Sequence, residues 1–161
     1  MDPVFAGQSS MMYLIYYTVQ IIVYRPFTSR PSDYSAAQNN LQHTDSCSAK
    51  ALKMSTVAAR SIVRVAKAQR TVQIVGMAGE FYASYYAVGQ LLLRIWDLKA
   101  QEKARREKQD KDGILVDALR HGDSLKSSLT KEIDDLITDV YTLMDLYEKA
   151  QTRWEYVQPI L

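Results

Sequence analysis

Cysteine and histidine are scarce: Cys47, His43 and His121 are the only three in 161 residues. One thiol excludes an internal disulfide, and three such ligands scattered over this length lack metal-ligand spacing, so a cysteine-rich zinc module is excluded too. An excess of charge of one sign is also missing. Twenty Lys and Arg against 18 Asp and Glu leave a formal +2, too little for a global field that would hold the chain to nucleic acid or an anionic membrane. The longest apolar run, Met11 to Tyr24, is interrupted by Thr18 and Gln20 and falls short of the roughly 20 residues of a spanning helix. No basic residue precedes Arg25, whereas a secretory leader opens on positive charge. A soluble intracellular protein in a reducing compartment is expected.

Catalytic constellations are equally absent. His43 with Asp45, and His121 with Asp117, each lack a third group to complete an acid-base or nucleophilic set. Gly76-Met77-Ala78-Gly79 has neither the phosphate-loop nor the dinucleotide pattern. Surface histidines and a chain that is no enzyme, without cofactor, are the expectation.

What is present is helical periodicity. A composition of 47% hydrophobic and 24% charged residues places the chain among globular proteins, at the size of one domain. Ser9 to Phe27 reads as a helix, capped by Ser9 or Ser10 and ended by Pro26. A strand competes there, because β-branched and aromatic residues abound, but the run is too long for one. Polar residues and Pro31 make 28–44 a loop. A second helix follows over Ser46 to Ile74, with Ala51, Ala58, Ile62, Val65 and Ala66 on one face. Gly76 and Gly79 mark a break. Phe81, Tyr85, Val88, Leu92 and Ile95 then define a third helix, which runs through the charged stretch Lys99 to Asp112 and stops at Gly113. Ile114 to His121 is expected as a short piece ended by Gly122. Asp123 or Ser124 would cap the last helix, whose stripe is Leu125, Leu129, Leu136, Val140, Leu143, Tyr147 and Ala150. The fold class is all-α: an irregular bundle of about four long helices plus short helical pieces, with residues 1–161 forming a single domain or a fragment of one.

The stretch Tyr16-Tyr17-Thr18-Val19-Gln20-Ile21-Ile22-Val23-Tyr24-Arg25-Pro26-Phe27 resembles the fungal-specific transcription factor domain, the regulatory middle region of fungal zinc-cluster transcription factors. There an apolar helix ends in Arg-Pro-Phe. A variable loop and a helix with paired alanines follow, matched here by Ala58-Ala59, and a late helix ends near a Trp, as at Trp154. The resemblance covers the later part of that domain. Its signature residues here are Arg25, Pro26, Phe27, Ala58 and Ala59. Two departures stand out: Ser55 and Thr56 occupy positions where the family often has a cysteine, and the six-cysteine DNA-reading cluster is missing. The resemblance therefore implies a non-catalytic regulatory module in the nucleus, with zinc confined to an upstream region. It also implies protein partners or further helices that precede this point, and no specific DNA binding by this chain alone. A helical adaptor unrelated to transcription is the alternative.

The residues have their own physical content. Pro26 ends a helix, Phe27 can fold back onto the core, and Arg25 can satisfy terminal carbonyls or pair with a carboxylate. Helix termination alone accounts for all three. Lys50, Lys53, Arg60, Arg64 and Lys67 form a basic stripe on the second helix, and the last helix is acidic through Glu132, Asp134, Asp135, Asp139, Asp145 and Glu148. Two independent solvated faces are the commoner fate of such stripes. If they pair, Arg60, Arg64 and Lys67 would face Asp135 and Asp139. Lys103 to Lys108 reads either as a weak nuclear import signal or as an exposed mixed-charge helix. The Phe81, Tyr82, Tyr85 and Tyr86 cluster reads as core packing before a small-molecule pocket. Finally, the first helix is apolar on every side and wants burial all round. The remaining helices are too few to enclose it, so an exposed apolar patch and self-association are expected.

Overall fold

Proline at the first position of a helix costs no hydrogen bond, since the first N–H groups have no intrahelical acceptor. Pro3 accordingly opens α1, Pro3–Tyr24, which starts six residues ahead of the serines expected to cap it. Ser9 and Ser10 lie inside the helix. The computed structural model describes residues 3–28, 44–70, 78–111 and 119–157. Among them stand α1, a 3₁₀ turn at Arg25–Phe27, and three further helices, α2 (Thr44–Arg70), α3 (Ala78–Lys111) and α4 (Leu119–Val157), with no strand. The all-α expectation holds. Of the loop expected at 28–44, residues 29–43 lie outside the described residues, as do the break at Gly76 and the stop at Gly113, while Thr44 opens α2.

Two boundaries differ from expectation. Gly79 falls in the first turn of α3 and not in a break; its missing Cβ makes room for Met11 of α1, whose methyl such an atom would overlap. Gly122 ends nothing, since α4 runs for 39 residues straight through it and has neither a separate short piece at its start nor a cap at Asp123 or Ser124. An isolated glycine costs about 1 kcal/mol against alanine, less than the cost of nucleating a second helix.

α1 packs on α2 and α3, α3 packs on α2 and α4, and α2 also meets α4. The core is built from small residues as much as from large ones. Ala58, Ala59 and Ala66 of α2 and Ala83 and Ala87 of α3 are buried beside Leu14, Ile62, Leu91, Leu98, Leu136 and Leu143. Alanine faces let helix backbones approach closely, and so the buried side of α3 is not the one its large residues suggested. Tyr85 and Leu92, expected inward, are 72% and 51% exposed. Only Ile95 of that stripe is buried, while Phe81 and Val88 lie at its edge. The α4 stripe is read correctly where its side chains are described: Leu136 and Leu143 are buried, and Leu129, Val140 and Tyr147 are half-buried.

Candidate functional site

Ionic contacts join α4 to the two central helices. Arg60 Nε donates to Asp139 Oδ2 at 3.1 Å, and Lys67 Nζ to Asp139 Oδ1 at 3.3 Å. Arg60 and Lys67 are two turns apart on α2, so both reach one carboxylate. Asp139 is buried to 12% exposure, and both its oxygens are engaged. Arg64 and Asp135 are not brought together: each is exposed and makes no bond to another described residue. Lys50 and Lys53 are exposed as well. The basic stripe thus divides into a part that ties α2 to α4 and a part that faces solvent.

A second cluster escaped the sequence reading. Arg94 Nη1 donates to Asp97 Oδ2 at 2.9 Å, while its Nε and Nη2 donate to Glu132 Oε1 at 3.3 and 3.1 Å. Gln101 Nε2 adds a bond to Asp97 Oδ2 at 2.9 Å. The guanidinium fork spans α3 and α4, a geometry a lysine cannot reproduce. The signal was available: Arg94 and Asp97 stand inside Leu91-Leu92-Leu93-Arg94-Ile95-Trp96-Asp97-Leu98, and charges within such a run are rarely buried unless paired.

The Arg25–Phe27 turn closes α1 through its backbone. Thr28 donates to the Arg25 carbonyl from both its N–H, at 3.2 Å, and its hydroxyl, at 2.8 Å. Two expectations for this turn are corrected. Phe27 does not fold onto the core but is 56% exposed. The Arg25 side chain is exposed and bonds no described residue, so among the described residues it neither reaches a helix carbonyl nor pairs with a carboxylate. The turn packs against α2, the helix on which Ala58 and Ala59 are fully buried. One turn before them Ser55, wholly buried, donates its hydroxyl to the Ala51 and Leu52 carbonyls, and Thr56 donates to the Leu52 carbonyl. Buried hydroxyls are satisfied there within the helix itself.

A small cleft of about 30 Å³, open to solvent, lies where Leu14, Ala66 and Gln69 meet Glu80, Phe81, Ser84, Leu146 and Tyr147. The Tyr147 hydroxyl donates to the Phe81 carbonyl at 2.8 Å, and the two rings are 5.6 Å apart. Burial, and secondarily the nearby Tyr85 phenol, push the Tyr147 pKa above its ordinary 10. Such a phenol stays protonated near neutrality and keeps its proton for the bond to the Phe81 carbonyl. Of the aromatic cluster, Phe81 alone lines this cleft, while Tyr82 and Tyr85 are largely exposed. Gln90 is buried with no partner for its Nε2 among the described residues. No three His, Cys, Asp or Glu side chains gather as a metal site among the described residues, and no described helix is long and apolar enough to cross a membrane. His43 lies outside the described residues; His121 lies within α4.

The described residues also present an apolar surface. Of the described α1 side chains only Leu14 and Ile21 are buried, whereas Met12, Tyr13, Ile15, Tyr16, Val19, Ile22 and Val23 are between 45% and 69% exposed. An apolar patch on the first helix, expected from its all-round hydrophobicity, is therefore present. No protein-family model matches the chain, and neither a curated protein nor a solved structure matches it.

Proposed function

We propose that the chain is a non-catalytic transcription-regulatory helical module of the kind found in fungal zinc-cluster transcription factors, acting in the nucleus by presenting helix faces to protein partners. The observation that carries this reading is the meeting of the two halves of the resembling sequence. The Arg25–Phe27 turn, at the end of an apolar tyrosine-bearing helix, packs against the helix whose Ala58-Ala59 pair is buried. In this reading zinc belongs to a DNA-reading region that this sequence does not contain, and the chain itself selects no DNA sequence.

The test is to fuse the full chain to an unrelated DNA-binding domain and measure a reporter in fungal cells. A several-fold change in reporter output from a nuclear fusion is expected; unchanged output from a folded, nuclear fusion overturns the reading. A helical adaptor unconnected with transcription is the second reading, favoured by the exposed apolar side of α1. It predicts a silent reporter.

A further inference from the structure

From Pro3 to Tyr24, α1 has no acidic or basic residue. Met12, Tyr16, Val19 and Val23 recur along it at steps of four, three and four, flanked by Ile15 and Ile22 one heptad apart, and all six are exposed. This spacing places them on one continuous face. Each is between 45% and 69% exposed, and contiguous exposed apolar surface of this kind marks interaction sites.

We propose that this face pairs with the same face of a second copy of the chain. A two-fold interface sets one patch against itself, so charges on it would meet like charges; here there are none to repel. A charged partner would find no counter-charge along the helix. Two polar side chains of α1, Thr18 and Gln20, are already bonded locally, which lowers the cost of removing water. Thr18 Oγ1 donates to the Leu14 carbonyl at 2.7 Å, and Gln20 Nε2 to the Tyr16 hydroxyl at 2.8 Å. The Tyr16 hydroxyl proton and the Gln20 carbonyl remain for exchange between copies. A lipid surface is a poorer match, because interfacial helices bind headgroups through Lys and Arg, and α1 has neither.

The pairing does not rest on a role in transcription, and a silent reporter leaves it untouched. Sedimentation velocity of the full chain over a concentration series tests it, with reductant present because Cys47 is exposed and could link copies covalently. A reversible monomer–dimer boundary is expected. Val19→Lys should abolish the dimer at concentrations where the parent is fully paired, with helix content by circular dichroism unchanged because Val19 is already exposed. Leu92→Lys, on an exposed part of α3, should leave the dimer intact. Should Val19→Lys fail to fold, Val19→Ala with Ile22→Ala removes only apolar area and should still weaken pairing at least tenfold. A monomer at every concentration overturns the proposal. So does a dimer that survives Val19→Lys, open-ended aggregation in place of a dimer, or binding to lipid vesicles by a chain that stays monomeric.

Discussion

Asp139 is the residue on which the charge pattern turns. Its carboxylate is nearly buried, and both oxygens are taken by cations from α2. Arg60 is more than one-third exposed, so the pair lies between the weak surface bridge and the buried one. A double-mutant cycle of Arg60→Ala and Asp139→Ala in denaturant melts is expected to give a coupling of about 1 kcal/mol. Arg64→Ala and Asp135→Ala, by contrast, should each stay within about 0.5 kcal/mol of the parent and add without coupling. Tyr147 provides a pH readout. Its folded pKa lies above the unfolded value of 10, so in alkali the unfolded chain loses this proton first. Stability from this group is complete below pH 10 and falls as pH rises from there through the folded pKa. Tyrosine absorbance should show a phenol that titrates late, and Tyr147→Phe should remove it while costing about 1 kcal/mol for the bond to Phe81.

Among the elements, α3 shows how a helix can be recognised yet turned the wrong way. Its large apolar residues recur at helical spacing, but the face in contact carries Ala83 and Ala87, and bulk was taken for burial. Gly89 belongs to the outer side: it is exposed, and a Cβ there would meet nothing within 4 Å. Gly89→Ala should therefore stabilise the protein by about 0.5–1 kcal/mol through helix propensity alone, raising the thermal midpoint by a few degrees. Gly79 differs, because there an added methyl displaces Met11 from its seat against α3. In α4, Gly122 does not stop the helix, because a stop signal is local whereas the ladder of a 39-residue helix is cooperative.

For the whole molecule, a formal charge of +2 supplies no strong global field toward DNA, and the proposed reading gives the chain no sequence selectivity. A mobility-shift assay with promoter fragments at physiological salt should show no sequence-selective complex. Selective binding with a dissociation constant near the nanomolar values of specific readers would falsify this. The ionic ties at Asp139 and Arg94 both fasten α4 to the central helices. The side of α1 that looks away from the bundle exposes large apolar side chains from Met12 to Val23.

The sequence by itself determined the all-α class, the number of long helices and the inward stripe of α4, because local periodicity and the lack of breakers are properties of neighbouring residues. It also marked α1 as too apolar to be enclosed. Only the tertiary structure decided which cations of the basic stripe find a carboxylate. Arg60 and Lys67 reach Asp139 while Arg64 does not, and that follows from how α4 is rotated against α2, which no spacing within either helix records. The arm of the Arg94 fork that reaches Glu132 depends in the same way on two residues 38 apart in sequence coming within 3.1 Å. The outward position of Phe27, 56% exposed, is likewise visible only once the helices are packed.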